Sequence, residues 1–257
     1  MRLSGQVAVI TGAARGVGKQ IARSLLNEGA VVYLGSRSEA DVHAAVSNLS
    51  AFGDVRPLPG VIYDEASCAE MVAEVRKRES AVHLLINNAA ASATAPIDEI
   101  DMAAWDMAFA VNVRAPFLMS RAFLPLLKEQ ASPDSQSVII NISSISGVII
   151  DGLPSWAYSS SKAALNHLTR GLALEFAPLH INVNSLALGP FETEKSEKLG
   201  LIATRIPEKL RNPLSSPQRR TGLGEHAGGT VVFLASSAGS YITGAVLPVD
   251  GGIATTR

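Results

Sequence analysis

Short runs of apolar, often β-branched residues alternate along this chain with longer segments in which apolar residues recur at helical spacing. Strands of nearly continuous apolar character that alternate with helices indicate a parallel sheet covered on both faces. We therefore predict an α/β fold, a doubly wound parallel sheet of about seven strands. The predicted strands are residues 6–10, 31–34, a strand ending near 62, 84–86, 137–142, 181–185 and 245–249. The predicted helices are residues 19–28, 39–49, 67–78, 105–128, 158–177 and 225–235.

One stretch, residues 191–222, breaks this alternation. It is rich in charged residues and contains Gly200, Pro207, Pro213 and Pro217. A stretch of this length is too long for a simple connection between a strand and a helix. We expect one domain over residues 1–257, in which residues 191–222 form a lid over the site.

The composition is that of a globular protein of one large domain, with 257 residues, 47% hydrophobic and 18% charged. A net charge of -1 and the absence of a long basic run argue against nucleic acid as a partner. No apolar run is long enough to span a membrane. The single cysteine, Cys68, allows no intrachain disulfide and fits a reducing compartment, so we expect a cytoplasmic protein.

A glycine cluster follows the first predicted strand. Gly12, Gly16 and Gly18 have the spacing Gly-x-x-x-Gly-x-Gly, and a helical segment comes next. Glycines in such a turn let the backbone approach a pyrophosphate, and the helix N-terminus offers free N–H groups to the anion. An ordinary turn would also use glycine, but the strand before and the helix after favour nucleotide binding.

Tyr158 and Lys162 are four residues apart in a helical segment, a spacing that places them on one helix face. An ammonium beside a phenol favours the phenolate and lowers a pKa that is normally about 10. Bringing that pKa to neutrality takes about 4 kcal/mol, so a second positive charge, such as a cationic cofactor, is needed. A tyrosine tuned in this way exchanges a proton with an alcohol or carbonyl oxygen. The alternative is a solvated pair on a helix surface.

Polar residues follow several of the predicted strands, where the carboxyl ends of parallel strands meet at one edge of the sheet. We expect these residues to form a single site. They are Gly12, the Gly35–Ser36–Arg37 run, Asp64, Asn87 with Asn88, Ser143 with Ser144, and Gly189.

In this order and spacing, several motifs together resemble the short-chain dehydrogenase/reductase family, over essentially the whole chain. The motifs are residues 11–18, Asn87-Asn88-Ala89, Asn112, Asn141-Ile-Ser-Ser144, Tyr158 with Lys162, and Asp250-Gly251-Gly252. Residues 49–53, 180–184 and 241–244 are similar to 3-oxoacyl-acyl-carrier-protein reductases, particularly those associated with rhamnolipid pathways. The resemblance implies a Rossmann fold, a nicotinamide cofactor and a homotetramer.

The resemblance also implies roles for four catalytic residues. Tyr158 would be the general acid in carbonyl reduction, and Ser144 would hydrogen-bond the substrate oxygen. Lys162 would hold the nicotinamide ribose hydroxyls, and Asn112 would anchor a water that links Lys162 to solvent. Taken alone, Ser144 suits a strand-end turn and Asn112 a bend in a helix.

Cofactor choice depends on the residues after the second strand. An acidic residue there would bind the ribose of NAD, but Gly35, Ser36 and Arg37 include no carboxylate. Arg37 and Arg15 can bind a 2′-phosphate through charge-assisted hydrogen bonds, so we predict NADP(H). Asp64 would accept from the adenine amino group or cap a turn. The full predicted cofactor set is Gly12, Arg15, Gly16, Val17, Gly18, Ser36, Arg37, Asp64, Asn88, Ala89, Tyr158, Lys162, Gly189, Phe191 and Thr193.

Three positions depart from the family pattern. Ala90 replaces a glycine, which would cost energy if the site needs positive φ. Leu188-Gly189-Pro190 replaces the usual Pro-Gly, and one extra residue between Ser144 and Tyr158 is expected in a turn at residues 150–154. The five histidines lack metal-ligand spacing, so we predict no metal.

These patterns lead us to expect an NADP(H)-dependent oxidoreductase that reduces a ketone, most plausibly a 3-oxoacyl thioester. A secondary-alcohol, polyol or steroid dehydrogenase with the same four residues is an alternative. A nucleotide-binding regulator without turnover is another. Trp156, two residues before Tyr158, lines the substrate pocket or serves packing.

Overall fold

A seven-stranded parallel sheet forms the centre of the molecule, with the strand order β3-β2-β1-β4-β5-β6-β7. The computed structural model describes residues 2–192 and 216–256. The strands are β1 (Val7–Ile10), β2 (Val31–Ser36), β3 (Val55–Pro59), β4 (Leu84–Asn87), β5 (Ser137–Ser144), β6 (Ile181–Leu188) and β7 (Val246–Val249). All six pairings are parallel, which confirms the predicted doubly wound α/β fold.

Helices connect the strands. Those in the described part of the chain are α1 (Gly16–Asn27), α2 (Glu39–Leu49), α3 (Glu65–Arg76), α4 (Met102–Phe109), α5 (Ala115–Lys128), α6 (Trp156–Phe176) and α7 (Gly224–Ala235). The strand order reverses between β1 and β4, and in open parallel sheets such a reversal creates a crevice beyond the strand ends.

Two hydrophobic clusters lie on opposite faces of the sheet. Ile10 belongs to one cluster, with Leu25 of α1 and Val231 of α7. Its neighbour Val9 belongs to the other, with Phe123 of α5 and Phe176 of α6. This split follows from the two-residue period of a strand and confirms that helices cover both faces.

The predicted helical region at residues 105–128 is helical throughout, but it is not one regular α-helix. The structure has α4, a π-helical turn at Ala110–Arg114, and then α5. Pro116 lies at the start of α5 and cannot donate to the carbonyl of Asn112, so a regular α-helix cannot continue through this point. The strands β5 and β6 also run two or three residues further than predicted, which brings Ser144 to the end of β5.

The predicted lid falls mainly outside the described residues, since only residues 191–192 and 216–222 of it are described. Its two ends lie together. Phe191 forms a parallel bridge with Gly222, and the N–H of Glu192 donates to the Gly222 carbonyl at 2.9 Å. Over the described residues, no helix has the length and apolar character needed to cross a membrane.

Candidate active site

Helix α6 brings Tyr158 and Lys162 together, as their spacing predicts. The ammonium nitrogen of Lys162 lies 5.6 Å from the centroid of the Tyr158 ring. Lys162 is only 2% exposed, and its Nζ donates to the carbonyl of Ile142 at 2.7 Å. The two side chains therefore share one face of α6, turned toward the end of β5.

Ser144 completes this group from the last position of β5. It is buried, and its hydroxyl lies within hydrogen-bonding reach of the Tyr158 phenol. The Ser144 Oγ accepts from the N–H of Ser146 at 3.2 Å, which fixes the oxygen at the start of the turn after β5. A phenol, an amine and a hydroxyl thus meet at one point.

The pKa values of Tyr158 and Lys162 show how the protein itself affects the protonation of the two groups. Burial raises the pKa of Tyr158, and this effect outweighs the hydrogen bond from Ser144, which lowers it. Burial also lowers the pKa of Lys162 to about 7. The lowered phenol pKa predicted from the Tyr158–Lys162 spacing is therefore not produced by this chain's side chains alone, because desolvation of the phenol dominates.

Gly147 sets how closely α6 lies on the turn after β5. A Cβ at this position would lie 2.6 Å from the carbonyl carbon of Lys162. Hydrogen bonds join the same surfaces: Ser143 Oγ donates to the Lys162 carbonyl at 3.3 Å, and Asn166 Nδ2 donates to the Gly147 carbonyl at 3.1 Å. Sequence reasoning missed Gly147, although a glycine three residues after Ser144 was a visible signal.

Asn112 lies in the π-helical turn and is fully buried. Its side chain bonds to the backbone of Ala91, and its Nδ2 also donates to Ser161 Oγ at 2.9 Å. The structure therefore places Asn112 beside the residue that precedes Lys162. π-Helical turns within helices are frequent at functional sites. The predicted role of Asn112 in anchoring a water stays a prediction.

The glycine turn after β1 has the shape that its sequence predicts. Gly12 and Gly16 have φ values of 64° and 60°, which glycine adopts without strain. A Cβ on Gly18 would lie 2.3 Å from Asn88 Nδ2, and this nitrogen donates to the carbonyls of Thr11 and Gly12. No side chain caps the N-terminus of α1, where Val17 lies. The turn can therefore offer backbone N–H groups to an anion.

Thr11 is a further residue that sequence reasoning missed as a site residue. Its Oγ1 accepts from the backbone N–H groups of Asn88 and Ala89, at 3.0 and 3.1 Å. This contact joins the ends of β1 and β4 at the crevice. The sequence signal for this role was a hydroxyl side chain directly before the glycine turn.

The predicted phosphate-binding arginines lie on the same edge of the sheet. Arg15 and Arg37 are exposed, and neither forms an ion pair with another residue in the described ranges. Ser36 ends β2, and its Oγ accepts from the N–H of Ser38. Asp64 is exposed and caps helix α3, accepting from the N–H of Ser67 at 2.8 Å, as its turn-capping alternative predicts. Its place in adenine recognition stays a prediction.

The segment after β6 is also built around a glycine. A Cβ on Gly189 would lie 2.8 Å from the Cα of Asp250, so glycine suits the Leu188-Gly189-Pro190 sequence. Phe191 is buried and packs into the core, which leaves its backbone as the group near the site edge. Thr193 lies outside the described residues.

The other departures from the family pattern have simple explanations. Ala90 is exposed and does not have positive φ, so its methyl group carries no backbone cost. The extra residue between Ser144 and Tyr158 stays a prediction; residues 150–154 lie outside helices and strands, and Asp151 there accepts from the N–H of Leu153 at 2.9 Å. Within the described ranges, no cluster of His, Cys, Asp and Glu could hold a metal ion.

Comparison with known proteins places this geometry in a family. A family model described as enoyl-(acyl carrier protein) reductase matches residues 12–254. A rhamnolipid-biosynthesis 3-oxoacyl-[acyl-carrier-protein] reductase of Pseudomonas aeruginosa is 34% identical over 97% of this chain and 96% of its own length. A galactitol 2-dehydrogenase of Rhizobium johnstonii is also 34% identical, over 98% of this chain and 96% of its own length.

Among solved structures, the Pseudomonas aeruginosa RhlG/NADP active-site complex superposes with a TM-score of 0.92 at 33% identity. The match covers 98% of this chain and 97% of that one. Because the family match and these likenesses extend over nearly the whole chain, and the fold is the one they share, the chain belongs to the short-chain dehydrogenase/reductase family of nicotinamide-dependent oxidoreductases.

Proposed function

We propose that this protein is an NADP(H)-dependent reductase that converts a ketone to a secondary alcohol, with a 3-oxoacyl thioester as the leading substrate. The observation that carries this proposal is the meeting of Tyr158, Ser144 and Lys162 at the end of β5. A buried acid, a hydroxyl donor and an amine at one point suit proton transfer to a carbonyl oxygen.

The residues present fit a dinucleotide. The uncapped N-terminus of α1 follows a turn in which Gly12 and Gly16 have positive φ, as a pyrophosphate cradle requires. Arg15 and Arg37 are exposed on the same edge and unpaired among the described residues, and no carboxylate follows β2. Two guanidinium groups favour a 2′-phosphate over a free ribose hydroxyl, which supports NADP(H).

Each side chain of the site then has a separate role in the reaction. When bound, NADPH supplies the hydride. Tyr158 donates its phenol proton to the carbonyl oxygen, because a raised pKa keeps the phenol protonated at neutral pH. Ser144 turns its hydroxyl hydrogen from Ser146 Oγ to the same oxygen and stabilises its developing negative charge. Lys162 would hold the ribose hydroxyls, and Asn112 fixes the adjacent turn of α6 through Ser161.

The substrate class follows from the likenesses rather than from the site. Similarity to a 3-oxoacyl-[acyl-carrier-protein] reductase supports a 3-oxoacyl thioester. A galactitol 2-dehydrogenase with the same 34% identity supports polyol or other secondary-alcohol oxidation as the second candidate. A regulator without turnover is a third reading, which the assembled Tyr158, Ser144 and Lys162 oppose.

We also propose three features of the whole protein. A single domain with residues 191–222 as a lid is supported by the bridge between Phe191 and Gly222, which closes the base of that segment. A homotetramer is supported by apolar side chains such as Met107 and Phe117, which are exposed on α4 and α5. Cytoplasmic residence is supported by a single buried cysteine, Cys68, in the sequence.

The test is turnover of a panel of ketones and alcohols with NADPH and NADH, beginning with acetoacetyl thioesters. We expect NADPH oxidation with a 3-oxoacyl thioester, and a loss of at least about a hundredfold in kcat for Tyr158→Phe. Tight NADPH binding without turnover of any ketone or alcohol would instead support the regulator. Faster reaction of polyols with NADP⁺ would support the second candidate.

A further inference from the structure

A short chain of hydrogen bonds runs from the active-site serine to a carboxylate. The Ser144 hydroxyl donates to Ser146 Oγ at 3.2 Å, and the Ser146 hydroxyl donates to Asp151 Oδ2 at 2.5 Å. The other carboxylate oxygen accepts from the N–H of Leu153. Asp151 Oδ2 therefore lies no more than about 6 Å from Ser144 Oγ, the combined length of the two bonds.

The negative charge of Asp151 is not neutralised by a neighbour. Among the described residues, no lysine, arginine or histidine forms an ion pair with it. The nearby Lys162 turns its ammonium to the carbonyl of Ile142 instead. The two hydrogen bonds that Asp151 accepts fix the position of its carboxylate.

The reacting groups experience this charge. Asp151 adds to the raised pKa of Tyr158, so its field reaches the phenol that must contact the substrate oxygen. The residues around Asp151 are apolar and exposed at the protein surface. Val148 is 47% exposed, Ile150 95% and Trp156 44%. The turn after β5 therefore presents apolar surface and one uncompensated negative charge.

We propose that Asp151 makes this site selective for uncharged ketones and against ketones that carry a carboxylate near the carbonyl. A substrate oxygen bonded to Ser144 lies about 3 Å from its Oγ. The carboxylate of a short oxo acid is then no more than about 12 Å from Asp151, and two like charges at that separation near a protein surface cost about tenfold in binding. Esters and thioesters of the same acids have no such charge.

This inference rests on the proposed function, since it names which carbonyl compounds that site accepts. The test compares methyl acetoacetate with free acetoacetate, which share the ketone and differ in charge. We expect the wild-type protein to prefer the ester by about tenfold or more in kcat/KM. Asp151→Asn, which keeps the shape and the bond from Leu153, should raise the ratio of kcat/KM for acetoacetate to kcat/KM for the ester about tenfold.

Controls separate charge from disturbed folding. Asp151→Glu should keep the preference, and so should Asp134→Asn, which removes an exposed carboxylate in the loop before β5. Higher salt should weaken the preference of the wild-type protein itself, so the test does not depend on any variant folding. Equal kcat/KM for ester and acid, or an unchanged ratio of the two values in Asp151→Asn, would overturn this inference but not the proposed function. A protein that reduces no ketone would overturn the proposed function as well.

Discussion

The side-chain amide of Asn112 binds both backbone groups of Ala91. Its Oδ1 accepts from the Ala91 N–H at 2.9 Å, and its Nδ2 donates to the Ala91 carbonyl at 2.8 Å. Ala91 belongs to the loop after β4, and the same Nδ2 also reaches Ser161 in α6. One buried side chain therefore holds the loop that follows Asn88 and Ala89 against the helix that carries Tyr158.

Replacing Asn112 with alanine should destabilise the protein and lower kcat. The change leaves the N–H and carbonyl of Ala91 without their partner, which costs about 2–4 kcal/mol in the free energy of unfolding. Denaturant unfolding measures this loss. Asn48→Ala, at an exposed position of α2, should change stability by less than about 0.5 kcal/mol. Equal effects of the two variants would contradict the structural role of Asn112.

Two glycines, one packed against α6 and one within it, should respond to alanine in opposite directions. At Gly147 the new methyl group would press on the backbone at Lys162, so we expect a loss of about 1–3 kcal/mol and a lower kcat. Gly171 is exposed within α6 with nothing within 4 Å of its added Cβ, so alanine should stabilise by about 0.5–1 kcal/mol. Thermal unfolding and kcat together check both, and a stable, active Gly147→Ala protein would refute the close contact.

Burial of Lys162 should destabilise the folded protein by an amount that depends on pH. Its pKa is lowered to about 7 in the folded protein, below the ordinary value of 10.5. The unfolded chain therefore binds more protons between these two values, and stability gains from this group as pH rises from about 7 to 10.5. Lys162→Met should stabilise the cofactor-free protein by on the order of 2 kcal/mol at pH 7 and below.

The stabilising effect of Lys162→Met should shrink as pH rises above about 7 and vanish only above 10.5, where the lysine is neutral in both states. Denaturant unfolding at several pH values measures it. Lys128→Met, at the end of α5, provides an exposed control. A stability difference that does not change with pH would show that burial of the ammonium is not its source.

The alternation of strands and helices was sufficient to predict the sheet and both of its covered faces. The strand ends then place Gly12, Asn88 and Ser144 on one edge without further information. What the pattern could not predict was the interruption at Ala110–Arg114, since residues 105–128 have continuous helical character. Pro116 was a visible signal for a break, but only the backbone shows that the break is a π-helical turn that contains Asn112.

The electrostatics of the site could also not be predicted from the sequence. The spacing of Tyr158 and Lys162 predicts their common face, but it does not show how deeply either group is buried. Burial decides both pKa directions in the structure. The influence of Asp151 was equally hidden, because it depends on a turn that brings a carboxylate back to Ser146.

Arg37→Asp should shift cofactor preference from NADPH toward NADH. The change removes a charge-assisted contact to the 2′-phosphate and adds a carboxylate that repels it, so we expect the ratio of kcat/KM values to fall by about tenfold to a hundredfold. Steady-state kinetics with both cofactors measure the ratio. Arg78→Asp, an exposed arginine just after α3, should leave it unchanged. Unaltered NADPH selectivity in Arg37→Asp would remove the case for phosphate binding there.

The pH dependence of ketone reduction should report the raised pKa of Tyr158. A general acid must be protonated, so kcat/KM should be constant at lower pH and fall as pH rises through the phenol pKa. Three groups face this phenol. Burial and Asp151 raise its pKa, the Ser144 hydroxyl lowers it, and Lys162 titrates separately near 7. Asp151→Asn removes one raising influence, so the fall should begin at lower pH.

The influence of Asp151 on the Tyr158 pKa is tested by pH–rate profiles with methyl acetoacetate. The profiles compare the wild-type protein, Asp151→Asn and Asp134→Asn. All three proteins are given the same substrate, so a difference between their profiles reports the protein alone. Asp134→Asn should match the wild type, because its carboxylate is absent from the influences on Tyr158. A fall in Asp151→Asn at the same pH as in the wild type, or at higher pH, would mean that the carboxylate does not act on the phenol. A fall at lower pH is the direction that removal of a negative charge near the phenol requires.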